Sequence, residues 1–331
     1  MNSTKEIASL WLNDCVISPL GNGHIHDTYL LENKQGESRL VLQRINGQVF
    51  PNPKKLMSQT VRVLSYLSQT DAFEVPRLVE SRNAQVLEFQ EDCYWRAWTF
   101  IEGSRTIDPI EKVQQAESAA EAFGCFQCVM EKIDLTEIEN PIPGYQQLSY
   151  YMRAFEEVRI KAPAELLDTI ESNSWLVERF EDVNSVVHGD CKINNVLFDE
   201  AVDRVKAIID LDTVMPGHWA WDFGDFVRSL WFGRKTIDLE LFRHSMRGFL
   251  CGAPSRSYSP EDFAEAPFYI SFMLGIRFLT DHLQGDSYFK VSARGDNLRR
   301  ALEQFTLFEN CVSARESLLQ LATQTLEALE R

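Results

Sequence analysis

Two strand-like stretches dominate the first part of the chain, His24-Ile25-His26-Asp27-Thr28-Tyr29-Leu30-Leu31 and Arg39-Leu40-Val41-Leu42-Gln43-Arg44-Ile45. Asn52-Pro53 then opens a helix that runs to about Gln69, since a capping Asn followed by Pro is a helix-start signal. Pro76 to Phe100 supplies further strands. After Glu102-Gly103-Ser104 the period becomes helical, through Ile110 to Ile133, Tyr145 to Ile160 and Ala164 to Val183, and from Trp221 onward the chain is again mostly helix. The pattern predicts an α+β protein in two parts: residues 1–102 on a small antiparallel sheet, and residues 103–331 mostly helical, with Gly103 at the junction. Internal repeats, low-complexity tracts and long linkers are absent.

One segment breaks this pattern with chemistry. Val186-Val187-His188-Gly189-Asp190-Cys191-Lys192-Ile193-Asn194-Asn195-Val196-Leu197-Phe198 is followed shortly by Ala207-Ile208-Ile209-Asp210-Leu211-Asp212. Apolar β-type runs flank an Asp placed to accept a proton, an Asn and a further Asp. Phosphoryl transfer asks a protein for positioning and charge neutralisation more than for covalent help, and carboxylate and amide oxygens suit Mg²⁺. Asp190 would orient and deprotonate an acceptor hydroxyl, Asn195 would hold Mg²⁺ from the same loop, and Asp210 would bridge metal and phosphates from the end of the next strand. A lone His-Gly-Asp is usually a turn; the joint order of strand, loop, Asn, strand and Asp carries the reading.

With those residues in place the sequence resembles the aminoglycoside phosphotransferase and choline kinase superfamily, whose loop is His-x-Asp followed by Asn, with a metal-binding Asp after the next strand. Within it, the Gly-Asn-Gly-His run at 21–24, Leu42-Gln43-Arg44-Ile45-Asn46, Tyr94-Trp95-Arg96, Ile209-Asp210-Leu211-Asp212-Thr213-Val214-Met215-Pro216-Gly217 and Arg277-Phe278-Leu279-Thr280-Asp281 look like the N-acetylhexosamine 1-kinase branch. The resemblance implies a protein-kinase-like two-lobed fold, with a nucleotide-binding N-lobe and a C-lobe carrying the catalytic loop and the acceptor. It implies ATP with Mg²⁺, and phosphate transfer to the anomeric hydroxyl of an N-acetylhexosamine. The alternatives are another small hydroxyl acceptor (an aminoglycoside, choline or an amino alcohol), a nucleotide-binding pseudokinase, or an interaction protein.

Candidate site residues follow from both lines. Gly21 and Gly23 lie where a phosphate-covering loop belongs, because glycine lets backbone N–H groups approach phosphate oxygens; His24 and Asp27 would reach the cleft from the same hairpin, the alternative for His24 being a solvated loop residue. Phe100, Ile101 and Glu102 form the hinge expected to meet adenine through backbone groups, while Trp95 and Trp98 read as core packing. A protein kinase would carry a strand Lys paired with a helix Glu. This chain has Gln43 and Arg44 on the strand, and Pro53 to Arg62 has no Glu, so Arg44 either grips phosphate or faces solvent. Asp222-Phe223-Gly224 spells the metal tripeptide of protein kinases, but it lies downstream of Asp210, and the resemblance makes Asp222 a brace for the catalytic loop. Asp212 reads as a supporting or second-metal carboxylate. Arg277 and Asp281, four apart, share a helix face; with Tyr288 they resemble the family's sugar-binding stretch, the alternative for Arg277 and Asp281 being an intrahelical pair.

Composition narrows the setting. Forty-nine acidic against thirty-three basic residues give a formal charge of −16, which disfavours nucleic acid and anionic membranes as partners. No apolar run approaches the roughly eighteen residues of a membrane helix, and the first residues lack a signal-peptide layout; the expectation is a cytoplasmic enzyme, monomeric or weakly dimeric. Seven irregularly spaced cysteines argue for reduced thiols, and Cys125-Phe126-Gln127-Cys128, though spaced like a metal pair, has no second pair of ligands.

Overall fold

The computed structural model describes residues 2–21 and 25–329. The first part comprises α1 (Asn2–Ala8), β1 (Val16–Pro19), β2 (Asp27–Glu32), β3 (Arg39–Ile45), α2 (Pro53–Leu67), β4 (Leu78–Val79), β5 (Glu88–Gln90) and β6 (Cys93–Thr99). Its strands form one antiparallel sheet of order β1-β2-β3-β6-β4, with β5 added to β6. Gln43 lies opposite Arg96, and Arg44 is flanked by Trp95 and Asp27. Alternation along the strands sends neighbours to opposite faces. Leu31, Leu42, Trp95 and Ala97 bury one face against Ile7 and Ala8 of α1 in a small separate core. Ile45 on the other face joins α2 and the C-terminal half in the main core.

The expected cap holds α2: the Asn52 side chain accepts the Lys55 N–H at 3.1 Å and Pro53 occupies the first turn. Gln59 fastens this helix to the second half, donating to the carbonyls of Glu139 (3.0 Å) and Val214 (2.8 Å) and accepting the Glu139 N–H.

The second part begins with β7 (Ser104–Arg105) and continues through α3 (Val113–Met130), α4 (Leu148–Glu156), α5 (Ala164–Ser172), β8 (Ser185–Val187), β9 (Val196–Asp199), β10 (Val205–Ile208) and β11 (Met215–Gly217). It ends in α6 (Ala220–Trp231), α7 (Leu239–Gly252), α8 (Pro260–Gln284), α9 (Asp296–Ser313) and α10 (Arg315–Leu329). β7 pairs with β9 and not with the first sheet, so the chain changes lobes between Thr99 and Ser104, turning at Gly103 with φ +61°. β10-β9-β7 and β11-β8 are small antiparallel sheets that carry the catalytic segment.

The predicted helix from 164 to 183 stops at Ser172. There the Asn173 side chain donates to the Thr169 carbonyl at 2.8 Å, competing with the next helical bond, and the chain tightens into a 3₁₀ turn over Ser174–Glu178. α3 and α7 approach so closely that a Cβ on Gly248 would lie 2.0 Å from the Glu117 carbonyl oxygen. Among the described residues no helix is long and apolar enough to cross a membrane.

Candidate active site

β8 ends at Val187, and the loop that follows, opening with the buried His188, is held from several sides. Asp222, at the start of α6, accepts the N–H groups of His188 and Gly189, each at 2.9 Å. Gln127 donates to the same carboxylate, also at 2.9 Å. Gln146 caps the Gly189 carbonyl (2.8 Å) and Thr213 that of His188 (2.8 Å). Gly189 has φ +80°, and a Cβ there would lie 2.6 Å from the Thr213 carbonyl oxygen, so glycine alone fits. The His188 Nδ1 accepts the Asp190 N–H at 3.3 Å, which leaves Nε2 to donate to the Ile209 carbonyl at 3.1 Å. One imidazole thereby links the loop to the residue before Asp210. Asp222 is the loop's brace, as the resemblance implied.

This scaffold presents Asp190. Its side chain receives Lys192 Nζ on Oδ1 at 2.8 Å and Asn195 Nδ2 on Oδ2 at 2.8 Å. Burial raises the Asp190 carboxyl, but Lys192, His188 and Asn195 outweigh it and hold the group below the usual carboxylate range. Lys192 was not singled out from the sequence; its signal was its position two residues after the Asp, on the same loop. Asn195 turns its amide nitrogen inward, so its Oδ1 has no partner among the described residues.

Asp210 stands at φ +64°, ψ +57°, a costly conformation for a non-glycine residue. It is exposed, and its carboxylate caps no turn of its own loop. Surrounding protein, with the charges of Asp190 and Asp212, raises its carboxyl. Asn195 Oδ1 and the Asp210 carboxylate are hard oxygen donors without other duties, which fits a Mg²⁺-like ion completed by phosphate oxygens and water. Among the described residues no cluster of three or more His, Cys, Asp or Glu forms a metal site, Cys125 and Cys128 included.

Asp212 is committed elsewhere. It lies 2% exposed with Arg96 bidentate upon it (Nη1 to Oδ1, 2.7 Å) and His26 Nε2 on Oδ2 at 2.7 Å. The second-metal reading therefore falls, because both oxygens are spoken for. Burial would raise this carboxyl, but Arg96 and His26 hold it well below the ordinary range. Gln43 completes the network, its Oε1 accepting from Arg96 Nε (3.1 Å) and Nη2 (3.0 Å) and from Trp98 Nε1 (2.7 Å). The sheet is thus tied to the loop after β10 by an Arg–Asp pair between β6 and residue 212. Parity in β3 and β6 puts Gln43 and Arg96 together, but only the register reveals it.

Several expectations on the nucleotide side change. Arg44 lies on the face of β3 opposite Gln43, bound by Asp27 and beside Cys93 (3.9 Å), so it is not a phosphate ligand. Asp27 also meets Lys290 at 3.8 Å. Gly21 has φ +72° just before the hairpin; Gly23 and His24 lie outside the described residues. In the hinge, Ile101 is buried, its carbonyl accepting Ser104 Oγ at 2.7 Å. Phe100 lies under the Arg39 guanidinium, which also pairs with the exposed Glu102.

On the other side of Asp190, α8 brings in Arg277, 8% exposed. Its guanidinium sits 5.2 Å from the Tyr145 ring centroid, 4.7 Å from Tyr151 and 5.4 Å from Phe289, with no carboxylate partner among the described residues. The intrahelical pair with Asp281 does not form. Asp281 accepts the N–H groups of Ser287, Tyr288 and Phe289 and the Asn297 amide, so it shapes the turn after α8 and is not free for a substrate. Tyr288 is half exposed, packed on Phe289. Tyr145 and Tyr151 were missed because they come from the segment around the start of α4, far from α8 in sequence.

Residues 16–252 match the sequence profile described as APH, phosphotransferase enzyme family. Similar solved structures include an amicoumacin kinase in complex with AMP-PNP, Ca²⁺ and Ami (TM-score 0.66, 12% identity, covering 93% of each chain). An aminoglycoside phosphotransferase from Alicyclobacillus acidocaldarius has TM-score 0.66 at 13% identity, covering 96% of this chain and 95% of that one. An ethanolamine kinase from Plasmodium vivax has TM-score 0.60 at 12% identity, covering 92% and 84%. At such identities the likeness is one of fold, an antiparallel-sheet N-lobe on a mostly helical C-lobe, while the profile match spans most of the chain together with the Asp190, Asn195 and Asp210 loop. This chain belongs to the phosphotransferase enzyme family.

Proposed function

We propose that the enzyme transfers the γ-phosphate of ATP to the anomeric hydroxyl of an N-acetylhexosamine. Asp190 accepts the hydroxyl proton as the oxygen attacks; Lys192 and Asn195 keep the carboxylate ionised and aimed. Asn195 Oδ1 and Asp210 are the residues that would hold Mg²⁺, whose charge, when bound, neutralises the phosphates. Gly21 and its loop would cover the phosphates, and the Phe100–Glu102 backbone would meet adenine.

The observation that carries the acceptor is Arg277. A buried guanidinium that pairs with no carboxylate among the described residues disfavours a cationic acceptor such as choline or a protonated amino alcohol, yet its N–H groups suit carbonyl and hydroxyl oxygens, and the rings of Tyr145, Tyr151 and Phe289 suit a sugar face. An N-acyl sugar offers both without a positive charge. The test is ADP release with ATP and Mg²⁺ across N-acetylglucosamine, N-acetylgalactosamine, free hexosamines, choline, ethanolamine and an aminoglycoside, followed by phosphorus NMR of the product. The expected result is turnover of an N-acetylhexosamine with phosphorus coupled to H1. An enzyme inert to every N-acetylhexosamine but active on choline or an aminoglycoside overturns the acceptor assignment.

A further inference from the structure

α6 meets the catalytic loop at both ends of one face. Asp222 holds the N–H groups of His188 and Gly189, and Ser229, seven residues on, accepts the Ile193 N–H on its Oγ at 3.3 Å. Helix positions i, i+3 and i+7 share a face, so Asp225 lies between these two contacts, opposite residues 190–192. It is 4% exposed. Unlike Asp222, it accepts no backbone N–H from the loop it faces, so bracing is not its role.

Its one strong partner is Arg228, 7% exposed, whose Nε (2.9 Å) and Nη2 (2.7 Å) both bond to Asp225 Oδ1. Among the described residues Asp225 Oδ2 and Arg228 Nη1 have no hydrogen-bond partner. The two residues are buried, yet neither atom is sealed off: each keeps a small solvent contact, so an entering ligand can reach an acceptor and a donor held side by side.

α6, which carries Asp225, packs along α8, the helix that carries Arg277, so closely that a Cβ on Gly224 would lie 2.5 Å from the Ala266 carbonyl oxygen. Tyr145 feels the charges of Asp190, Arg277 and Asp225 together. Asp225 thus lies beside both the catalytic loop and the helix that brings in Arg277.

We propose that Asp225 and Arg228 form a specificity pair for a second hydroxyl of the acceptor, which donates to Asp225 Oδ2 and accepts from Arg228 Nη1. The pair selects polyhydroxylated acceptors over alcohols with a single hydroxyl. The inference rests on the reading of the chain as a kinase of small hydroxyl compounds and does not require the anomeric position.

The test compares wild type with Asp225→Asn, using the best acceptor from the panel and analogues that each lack one non-reacting hydroxyl. Asn can keep an oxygen toward Arg228 while placing an amide donor where the hydroxyl needs an acceptor. KM for the acceptor should rise about 10- to 150-fold, the range for losing a hydrogen bond to a charged group, with KM for ATP close to wild type. One analogue should suffer a similar loss in wild type and almost no further loss in Asp225→Asn, a coupling that general loosening of α6 would not produce. Unchanged acceptor KM in a variant that melts like wild type, or equal losses for every analogue in both proteins, overturns the proposal. Should Asp225→Asn fail to fold, calorimetric affinities of the analogues for wild type decide: one must bind at least about tenfold weaker, and equal affinities refute the pair. A wild type inert to N-acetylhexosamines refutes the sugar assignment alone. If its only acceptor carries one hydroxyl, the specificity pair falls with it.

Discussion

Replacing Arg96 with Met is the most direct perturbation of the link between the sheet and the metal loop. Met keeps much of the aliphatic volume but removes both hydrogen bonds to Asp212, leaving that carboxylate 2% exposed with His26 alone. Breaking a buried pair by removing one partner costs about 3–5 kcal/mol, because the remaining charge keeps its desolvation penalty. Gln43 Oε1 retains Trp98 Nε1 as donor, so little is added there. Over 331 residues the unfolding entropy is about 0.7 kcal/mol/K, and the melting temperature should fall by roughly 4–7 °C. Asp212→Asn alone should cost a similar amount, since it strands the Arg96 guanidinium. The double variant Arg96→Met/Asp212→Asn should lose much less than the two single losses added together, because neither charge is then left unpaired. Since Asp210 stands two residues from Asp212 in a left-handed conformation, kcat/KM for ATP should fall in both single variants as well. Calorimetry on the four proteins gives the coupling directly. A drop below about 1 °C for Arg96→Met, where about 4 °C or more is expected, or strictly additive losses in the double variant, refutes the reasoning.

Two carboxylates that look alike in sequence should separate cleanly. Asp210→Ala should abolish Mg²⁺-dependent nucleotide binding in a protein that melts near wild type, whereas Asp222→Ala, which strands the His188 and Gly189 N–H groups, should lower the melting temperature first; nucleotide affinity lost in the Asp222 variant alone reverses the roles. His218 sets a pH dependence of stability. Its ring packs 4.7 Å from that of Phe180 and its Nδ1 accepts the Ala220 N–H, and burial depresses its pKa from 6.5 to about 4. The unfolded chain therefore gains a proton below pH 6.5 that the folded protein refuses until about pH 4, so stability falls across that window by at most about 3 kcal/mol as the pH drops. His218→Asn, which keeps an acceptor for the Ala220 N–H, should flatten this fall; an identical slope in a series of melts shows that His218 stays solvated.

The chemistry was legible because it is local. Asp190, Asn195 and Asp210 reach one another through short loops on β8 to β10, so their spacing in the chain is nearly their geometry, and the order of strand, loop and strand could be read from the apolar pattern. The cap at Asn52 and the change from strand to helix after Gly103 were visible for the same reason. The family resemblance gave Asp222 the role of a brace, and the N–H groups of His188 and Gly189 that it accepts agree with it.

What tertiary structure decided is every pairing across long sequence separations. Arg44 and Gln43 are adjacent in sequence and on opposite faces in space; nothing short of the β3–β6 register places Arg96 beside Gln43, or Asp212, more than a hundred residues away, under both. The i,i+4 spacing of Arg277 and Asp281 suggested a pair, but the turn after α8 offered Asp281 three backbone N–H groups and an amide, a stronger claim than one flexible guanidinium. Arg277 instead found rings from the start of α4. Sequence alone thus determined the order of carboxylate and amide groups that marks the family, while folding determined which charges are already neutralised, because a buried charge is defined by its neighbours and those come from distant parts of the chain.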